Sequence, residues 1–321
     1  MKTLKPLIAM LSIGAALAAG NAQALTVYTA GPAGLIKNLA DDFKKQTGVT
    51  VDVFQADTGK VMARLEAEAS NPRADVVISA SWDSAIDLDR RGWLLPYQSP
   101  NAANVPAIYK SGTYVAQGLS ALAIAWNTKS GTPRPADWSD LTKPEFKNLV
   151  NMPDPAQSGT ALELLSGLQA ANGDGAWKLF QSLKDNGMAI AGPNAQAMNP
   201  VLQGAKAAVF AAVDYVALDS RAKGESIEVI FPSSGTVVAG RPMMILKSTK
   251  TPEDAKKFID YVLSDAGQAR VAATYLVPAR TDIKARRPGL SEFKSLPPAT
   301  DEERAGREAL LQRFSKLFER K

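Results

Sequence analysis

A repeated alternation of strand and helix patterns begins the chain and strongly limits the folds that it can form. Residues 25–30, 49–54 and 74–78 have the composition of strands, and a helical segment follows each of them. The first such segment, residues 35–46, is expected to end where Gly48 provides a left-handed cap. This order predicts a parallel sheet with right-handed crossovers and a ligand crevice at the carboxyl ends of its strands.

A second α/β region is expected after the first sheet. Helical patterns return at residues 160–171 and 176–186, a strand pattern occupies residues 207–212, and residues 243–246 look like a strand that returns to the first region. The chain has 321 residues, which exceeds the usual size of a single domain.

The amino terminus has the three parts of a secretory signal peptide. Lys2 and Lys5 precede an apolar run at residues 7–19, and a small-residue site follows at Ala22-Gln23-Ala24. The apolar run is shorter than the roughly 18 to 20 residues that cross a bilayer. We therefore predict cleavage after residue 24 and a periplasmic mature protein.

These patterns divide the chain into a signal peptide and two lobes. The predicted ranges are residues 1–24 for the signal peptide, 25–120 and 242–321 for a discontinuous lobe 1, and 121–241 for lobe 2. Residues 300–320 are charged and amphipathic, with Leu310 and Phe314 at helical spacing, and are predicted to form a docked surface helix.

The composition excludes several classes of function. Cys and His are both absent, which removes thiolate metal sites, Ser-His-Asp catalysis and zinc motifs that need His. Loss of the signal peptide removes two of the 37 basic residues and none of the 32 acidic residues, so the net charge falls from +5 to +3. Because these charges are interspersed, nucleic acid is not an expected partner. No cofactor is expected.

A serine hydrolase is the competing class. The pattern S-x-x-K occurs at residues 220–223 and 291–294, and K-S-G occurs at residues 110–112 and 129–131. Two matches to each pattern show how loose they are, and their order along the chain is the reverse of that in penicillin-recognising enzymes. The sequence therefore favours a protein that is not an enzyme.

Two strand-to-helix junctions carry groups that suit an anion. Asp57-Thr58-Gly59 begins a helix in lobe 1, and Gln157-Ser158-Gly159-Thr160 begins a helix in lobe 2. Each offers hydroxyl and backbone N–H donors at the positive end of a helix dipole, although a Ser or Thr there is ordinarily only a cap. We expect the two junctions to face a common cleft.

Several segments together resemble one branch of the substrate-binding proteins of ABC importers. They are residues 25–30, Thr58-Gly59-Lys60, residues 74–82, Ser158-Gly159-Thr160 and residues 242–248. The resembled branch is the ferric-iron, phosphonate and sugar-phosphate group. It implies an α/β fold of the type II periplasmic binding protein class, with two α/β lobes joined by a hinge of crossing strands.

The iron ligands of that branch are mostly missing here. The positions that match its His, Glu and adjacent Tyr pair hold Pro32, Ala80 and Asp214-Tyr215. Ferric iron prefers several anionic oxygen ligands, so Tyr215 with one carboxylate makes a poor site. No metal is expected, and a ferric-iron-binding protein in which Tyr215 is a ligand remains the alternative.

The resemblance implies a phosphonate or phosphate headgroup held between the lobes. Lobe 2 would contribute Ser158, Gly159, Thr160 and Asn194, and lobe 1 would contribute Thr58, Gly59 and the backbone of Ala30. The organic remainder would extend toward Asp57, Trp82, Asp214 and Tyr215, with Asp214 accepting from a ligand amine or hydroxyl.

The residues leave the identity of the ligand open between 2-aminoethylphosphonate, a sugar phosphate and another organophosphate. The absence of His favours the smaller ligands. The expected partners are this anion and an ABC permease in the inner membrane, and the protein is predicted to be a monomer.

Overall fold

The computed structural model describes residues 24–300 and 306–318. The predicted signal peptide lies outside these residues, except for Ala24. Among the described helices, none combines the length and the apolar composition that crossing a membrane requires.

Ten strands and ten α-helices are found in the described residues. The strands are β1 (Leu25–Thr29), β2 (Val51–Gln55), β3 (Val76–Ile78), β4 (Tyr114–Asn127), β5 (Val150–Pro153), β6 (Ala189–Ala191), β7 (Ala208–Val213), β8 (Ile227–Ile230), β9 (Val238–Ile245) and β10 (Val277–Pro278). The helices are α1 (Ala33–Thr47), α2 (Thr58–Ala67), α3 (Trp82–Arg90), α4 (Gly159–Asn172), α5 (Asp174–Asp185), α6 (Asn194–Leu202), α7 (Asp214–Ala222), α8 (Pro252–Val262), α9 (Asp265–Ala273) and, as α10, Arg307–Leu317.

Eight of the ten strands form one hydrogen-bonded path in the order β2-β1-β3-β9-β4-β7-β5-β6, and β8 and β10 each pair with β4. Strands β1, β2 and β3 are parallel, as predicted from the strand–helix alternation. In lobe 2, β5 is parallel to both β6 and β7. Gly48 ends α1 in the left-handed conformation, with φ 78°, which confirms its predicted role.

The antiparallel strands β4 and β9 join the two lobes. Residues 114–121 of β4 pair with β9, whereas residues 122–127 pair with β7 and β8. Thirteen of the 14 residues of β4 are buried because the strand passes through the centre of the molecule. These two strands form the predicted crossing between the lobes.

Each lobe has an apolar core on both faces of its sheet. In lobe 1, Phe43 and Phe258 lie in the core under α1 and α8, and Val61 and Leu88 lie in the core under α2 and α3. In lobe 2, one core includes Trp138 and Phe180, and a smaller core includes Met198 and Ala217. The α/β fold of two lobes therefore agrees with the prediction.

The carboxyl-terminal helix packs on lobe 2. The sequence predicts that residues 242–321 belong to lobe 1, but the Phe314 side chain of α10 is buried beside Phe180 of lobe 2, with ring centroids 5.7 Å apart. Before this helix, the chain already contacts lobe 2, where the Leu296 N–H donates a hydrogen bond of 2.7 Å to the Thr236 carbonyl. The apolar stripe of α10 therefore covers the larger core of lobe 2, which accounts for its amphipathic pattern.

Candidate functional site

Predicted site residues follow the carboxyl ends of three neighbouring strands of lobe 1. Thr58 begins α2 after β2, Ala30 follows β1, and Trp82 begins α3 after β3, in a sheet whose strand order is β2-β1-β3. The Asp57 side chain accepts a hydrogen bond of 2.9 Å from the Lys60 backbone and caps α2. These groups therefore line one edge of lobe 1.

The carboxyl ends of the parallel strands of lobe 2 form the second half of the site. The Ser158 hydroxyl caps α4 by accepting from the Ala161 backbone at 3.2 Å. The same hydroxyl donates to Asn194 Oδ1 at 2.9 Å and lies 3.1 Å from the Thr160 hydroxyl. This arrangement leaves the Asn194 side-chain NH₂ available to donate.

The two edges touch through a pair of glycines. A Cβ atom on Gly59 would lie 2.8 Å from the Ala156 carbonyl oxygen, and a Cβ atom on Gly159 would lie 2.8 Å from the Thr58 hydroxyl. The Gly59 N–H also donates to the Gln157 carbonyl at 3.4 Å. Larger residues would hold the lobes apart, so the glycines allow the two predicted junctions to meet.

Arg241 is a buried cation that the sequence analysis missed. It lies on β9 just beyond the carboxyl end of β3 and is 1% exposed. One guanidinium nitrogen donates to the Ala30 carbonyl at 2.7 Å, and the group lies 5.6 Å from the centre of the Tyr215 ring. Its Nε has no hydrogen-bond partner, and no described residue forms an ion pair with it. A single Arg within the apolar segment 237–246 was the available signal.

Asp214 has a different environment from the one predicted. It is completely buried and forms an ion pair with Arg287, whose side chain is also buried. Asp214 also accepts backbone hydrogen bonds from Ala121 and Tyr215 at 2.7 Å each. Burial raises the pKa of the Asp214 carboxyl, although Arg287 and the backbone donors favour its charged form. Both carboxylate oxygens already have protein partners, so the structure does not offer them to a ligand amine.

The two predicted aromatic residues occupy different places. Tyr215 is half-buried and packs against the cores of both lobes, next to Arg241. Trp82 packs edge-to-face against Tyr109 and Tyr114 and lines a cavity of about 420 Å³ between the lobes. Tyr215 is therefore next to the buried cation, whereas Trp82 faces a separate part of the lobe junction.

Glu163 is a second buried charge that the sequence analysis missed. It extends from α4 of lobe 2 to the first residues of α3 in lobe 1, where its carboxylate accepts from the Ser81 hydroxyl at 2.9 Å and the Trp82 backbone at 2.7 Å. Burial raises the pKa of the nearby Tyr109 hydroxyl, and the negative charge of Glu163 raises it further. The only sequence signal was one acidic residue in the apolar first half of α4.

The acidic residues do not assemble into a metal site. Within residues 24–300 and 306–318, no group of three His, Cys, Asp or Glu side chains is placed to hold a metal ion. Tyr215, the one surviving iron-ligand position, instead lies beside the Arg241 guanidinium.

Two α/β lobes joined by crossing strands, with helix amino termini facing each other at their edges, define a two-lobed solute-binding protein. Residues 71–301 match the family model described as bacterial extracellular solute-binding protein, and the chain belongs to that family. This is a family of binding proteins.

Individual relatives share the fold but differ in the ligands for which they are named. The putative 2-aminoethylphosphonate-binding periplasmic protein of Salmonella typhimurium is 24% identical over 297 residues, which cover 87% of this chain and 86% of that protein. AfuA from Actinobacillus pleuropneumoniae, solved with fructose-6-phosphate, superposes with a TM-score of 0.85 at 23% identity over 92% of this chain and 98% of its own. Iron-bound HitA from Pseudomonas aeruginosa has a TM-score of 0.80 at 21% identity over 91% of this chain and 99% of its own.

These comparisons confirm the predicted resemblance and the type II periplasmic binding protein fold. One relative is named for a phosphonate, and the other two were solved with a sugar phosphate and with iron, so similarity alone does not select a ligand. The choice depends on the residues of the site.

Proposed function

We propose that this protein is the periplasmic solute-binding component of an ABC importer and that it captures a small phosphonate or organophosphate between its lobes. Family membership and the periplasmic names of its relatives support the transport role. The closed protein would deliver the anion to a permease in the inner membrane.

Arg241 is the observation that carries the choice of an anion. A buried guanidinium without a counterion costs free energy, because the protein interior solvates a charge less well than water does. Arg241 donates to the Ala30 carbonyl and contacts the Tyr215 ring, and these interactions satisfy only part of the donor capacity of its guanidinium. A bound phosphonate oxygen pair would provide both the missing charge and acceptors in the planar geometry that Arg prefers.

The remaining donors suit the other oxygens of the same headgroup. In lobe 2, the Asn194 NH₂ would donate to the ligand, and the hydroxyls of Ser158 and Thr160 would turn toward the ligand from their present partners. In lobe 1, the Thr58 hydroxyl would donate, whereas the Gly59 and Lys60 N–H groups already have acceptors. Since donors come from both lobes, only the closed arrangement satisfies all of them, and the ligand therefore favours closure.

Iron is the less suitable ligand for this arrangement. A ferric ion at Tyr215 would lie next to the positive charge of Arg241, and Asp214 is neutralised by Arg287. We propose that Asp214 positions Arg287 and the backbone of the crossing strand β4, and that it does not contact the ligand.

A thermal-shift screen followed by calorimetry tests the proposal. The purified mature protein is titrated with 2-aminoethylphosphonate, glucose 6-phosphate, inorganic phosphate, and ferric iron with and without phosphate. Ethanolamine, which lacks the phosphonate, is the control. Binding at a hundredfold excess over Kd adds about 2.7 kcal/mol to stability, so a ligand should be evident. A response to iron alone would overturn the choice of an anion.

Variants then test the headgroup donors. Replacing Ser158 and Thr160 together with Ala should weaken binding at least tenfold, because a hydrogen bond to a charged group contributes about 1.5–3 kcal/mol. Ser182→Ala, on the exposed side of α5, is the matched control. Equal affinities of the double variant and the control would refute these contacts.

Cell fractionation and amino-terminal sequencing of the exported protein test the predicted location and a start at Leu25.

A further inference from the structure

Glu163 connects the two lobes at a point outside the proposed headgroup site. It belongs to α4 of lobe 2, is 4% exposed, and accepts three hydrogen bonds from lobe 1. The donors are the Ser81 hydroxyl at 2.9 Å, the Trp82 N–H at 2.7 Å and the Asp83 N–H at 3.3 Å.

This carboxylate performs the capping that α3 does not obtain from its own cap residue. Ser81 occupies the cap position, but its side chain makes no capping hydrogen bond to the helix. Its hydroxyl donates to Glu163 instead. Helix amino termini have unpaired N–H groups and a partial positive charge, and both favour an acceptor carboxylate. Lobe 2 therefore caps a helix of lobe 1.

Helix α4 of lobe 2 presents two different surfaces to lobe 1. Its amino-terminal end carries Gly159, which lies close to the Thr58 hydroxyl of lobe 1, next to the proposed headgroup donor Ser158. Glu163 lies one turn further along α4 and reaches α3. Movement of lobe 2 away from lobe 1 would break both sets of contacts together, because α4 is a single element.

We propose that Glu163 is a positioning residue that holds the lobes closed and slows ligand release without touching the ligand. This role of Glu163 depends on the proposed function only in the measurements that use a bound ligand to detect closure. The three donors and the dipole of α3 offset the cost of burying the carboxylate in the closed form, whereas the open form returns it to water.

The expected effect is a change in the ratio of closed to open molecules. Loss of a buried cap and its charge should lower this ratio about 5- to 30-fold in Glu163→Ala. Glu163→Gln keeps an acceptor but loses the charge, so its ratio should lie between those of the wild type and Glu163→Ala. If the open form predominates without ligand, the apparent Kd rises by the same factor as the closed fraction falls.

A distance measurement between the lobes tests the proposal directly. The chain has no Cys, so single cysteines at the exposed positions Lys44 of α1 and Lys178 of α5 can carry a fluorescent donor and acceptor. Single-molecule energy transfer then gives the closed-to-open ratio, without ligand and at half-saturating 2-aminoethylphosphonate. Glu145→Gln, at an exposed carboxylate of lobe 2, is the control.

The proposal is supported if Glu163→Ala lowers the ratio at least fivefold and speeds ligand dissociation while association is unchanged. It is overturned if the ratio of Glu163→Ala stays within twofold of the wild type under both conditions. Failure of the wild type to bind any organophosphate would defeat the proposed function, yet the ligand-free ratio would still test Glu163. Should Glu163→Ala fold poorly, Glu163→Gln provides the same comparison.

Discussion

The two buried arginines of the lobe junction should differ in their effect on stability when each is replaced by Met. Arg287 forms an ion pair with Asp214, whereas Arg241 has no anionic partner among the described residues. Met has a similar length and no charge. Arg287→Met therefore leaves an uncompensated carboxylate behind, but Arg241→Met removes a charge that was itself uncompensated.

The contacts of each arginine set the size of the effect. Breaking a buried ion pair by removing one partner costs about 3–5 kcal/mol, which is the expected loss for Arg287→Met. Arg241→Met loses a charged hydrogen bond to Ala30, about 1.5–3 kcal/mol, and a contact with Tyr215, about 1–2 kcal/mol. It also relieves the burial of an unpaired ion, which costs several kcal/mol. These terms nearly cancel, so its stability should lie within about 1 kcal/mol of the wild type.

Urea unfolding of the ligand-free proteins, followed by circular dichroism, measures both free energies. Ligand titration of Arg241→Met should show a loss of organophosphate affinity of about 100-fold or more, because two charge-assisted hydrogen bonds would disappear. If Arg241→Met loses as much stability as Arg287→Met, Arg241 is part of the folded scaffold and the assignment of a ligand counterion is refuted. An unchanged affinity would refute it as well.

Three further outcomes are expected. Phe314→Ala should lower the unfolding free energy by about 3–5 kcal/mol in chemical denaturation, because the ring fills the larger core of lobe 2. Gly59→Ala should weaken ligand affinity about tenfold in calorimetry without lowering the ligand-free melting temperature, because its Cβ would meet the Ala156 carbonyl only when the lobes close. Burial acts to raise the pKa of Asp137, but hydrogen bonds from Ser233 and its neighbour outweigh it and hold the pKa below its ordinary value. A lowered folded-state pKa means that this stabilisation is lost as the pH falls below about 4, so Asp137→Asn should unfold with a weaker acid dependence than the wild type.

The fold was predictable because its signals are local. The period of the apolar residues separates strands from helices, and Gly48 marks a helix end by a conformation that glycine adopts easily. The parallel order of β1, β2 and β3 then follows from the handedness of the crossovers. The side of the molecule that α10 covers could not be deduced in this way, since an amphipathic helix does not specify which core receives it.

The helix junctions of the site were predictable for a related reason. Parallel strands place the residues that follow them at one edge of the sheet, so Thr58 and Ser158 could be assigned to facing edges before their contact was known. The partners of a charged side chain have no comparable local signal. Arg241 meets Ala30 across 211 residues of chain, and Glu163 meets Ser81 across 82.

Asp214 shows why the type of a residue is a weaker guide to its role than its surroundings. A carboxylate at a strand end can bind a ligand amine, cap a helix or neutralise a buried arginine, and the sequence around it is the same in each case. Arg287 decides between these roles, because it arrives from 73 residues further along the chain and occupies the carboxylate. With Asp214 paired to Arg287, Arg241 is the buried cation of the lobe junction that has no anionic partner among the described residues. The proposal of an anionic ligand rests on this difference, and it predicts that selectivity depends more on Arg241 than on the acidic residue that the sequence suggested.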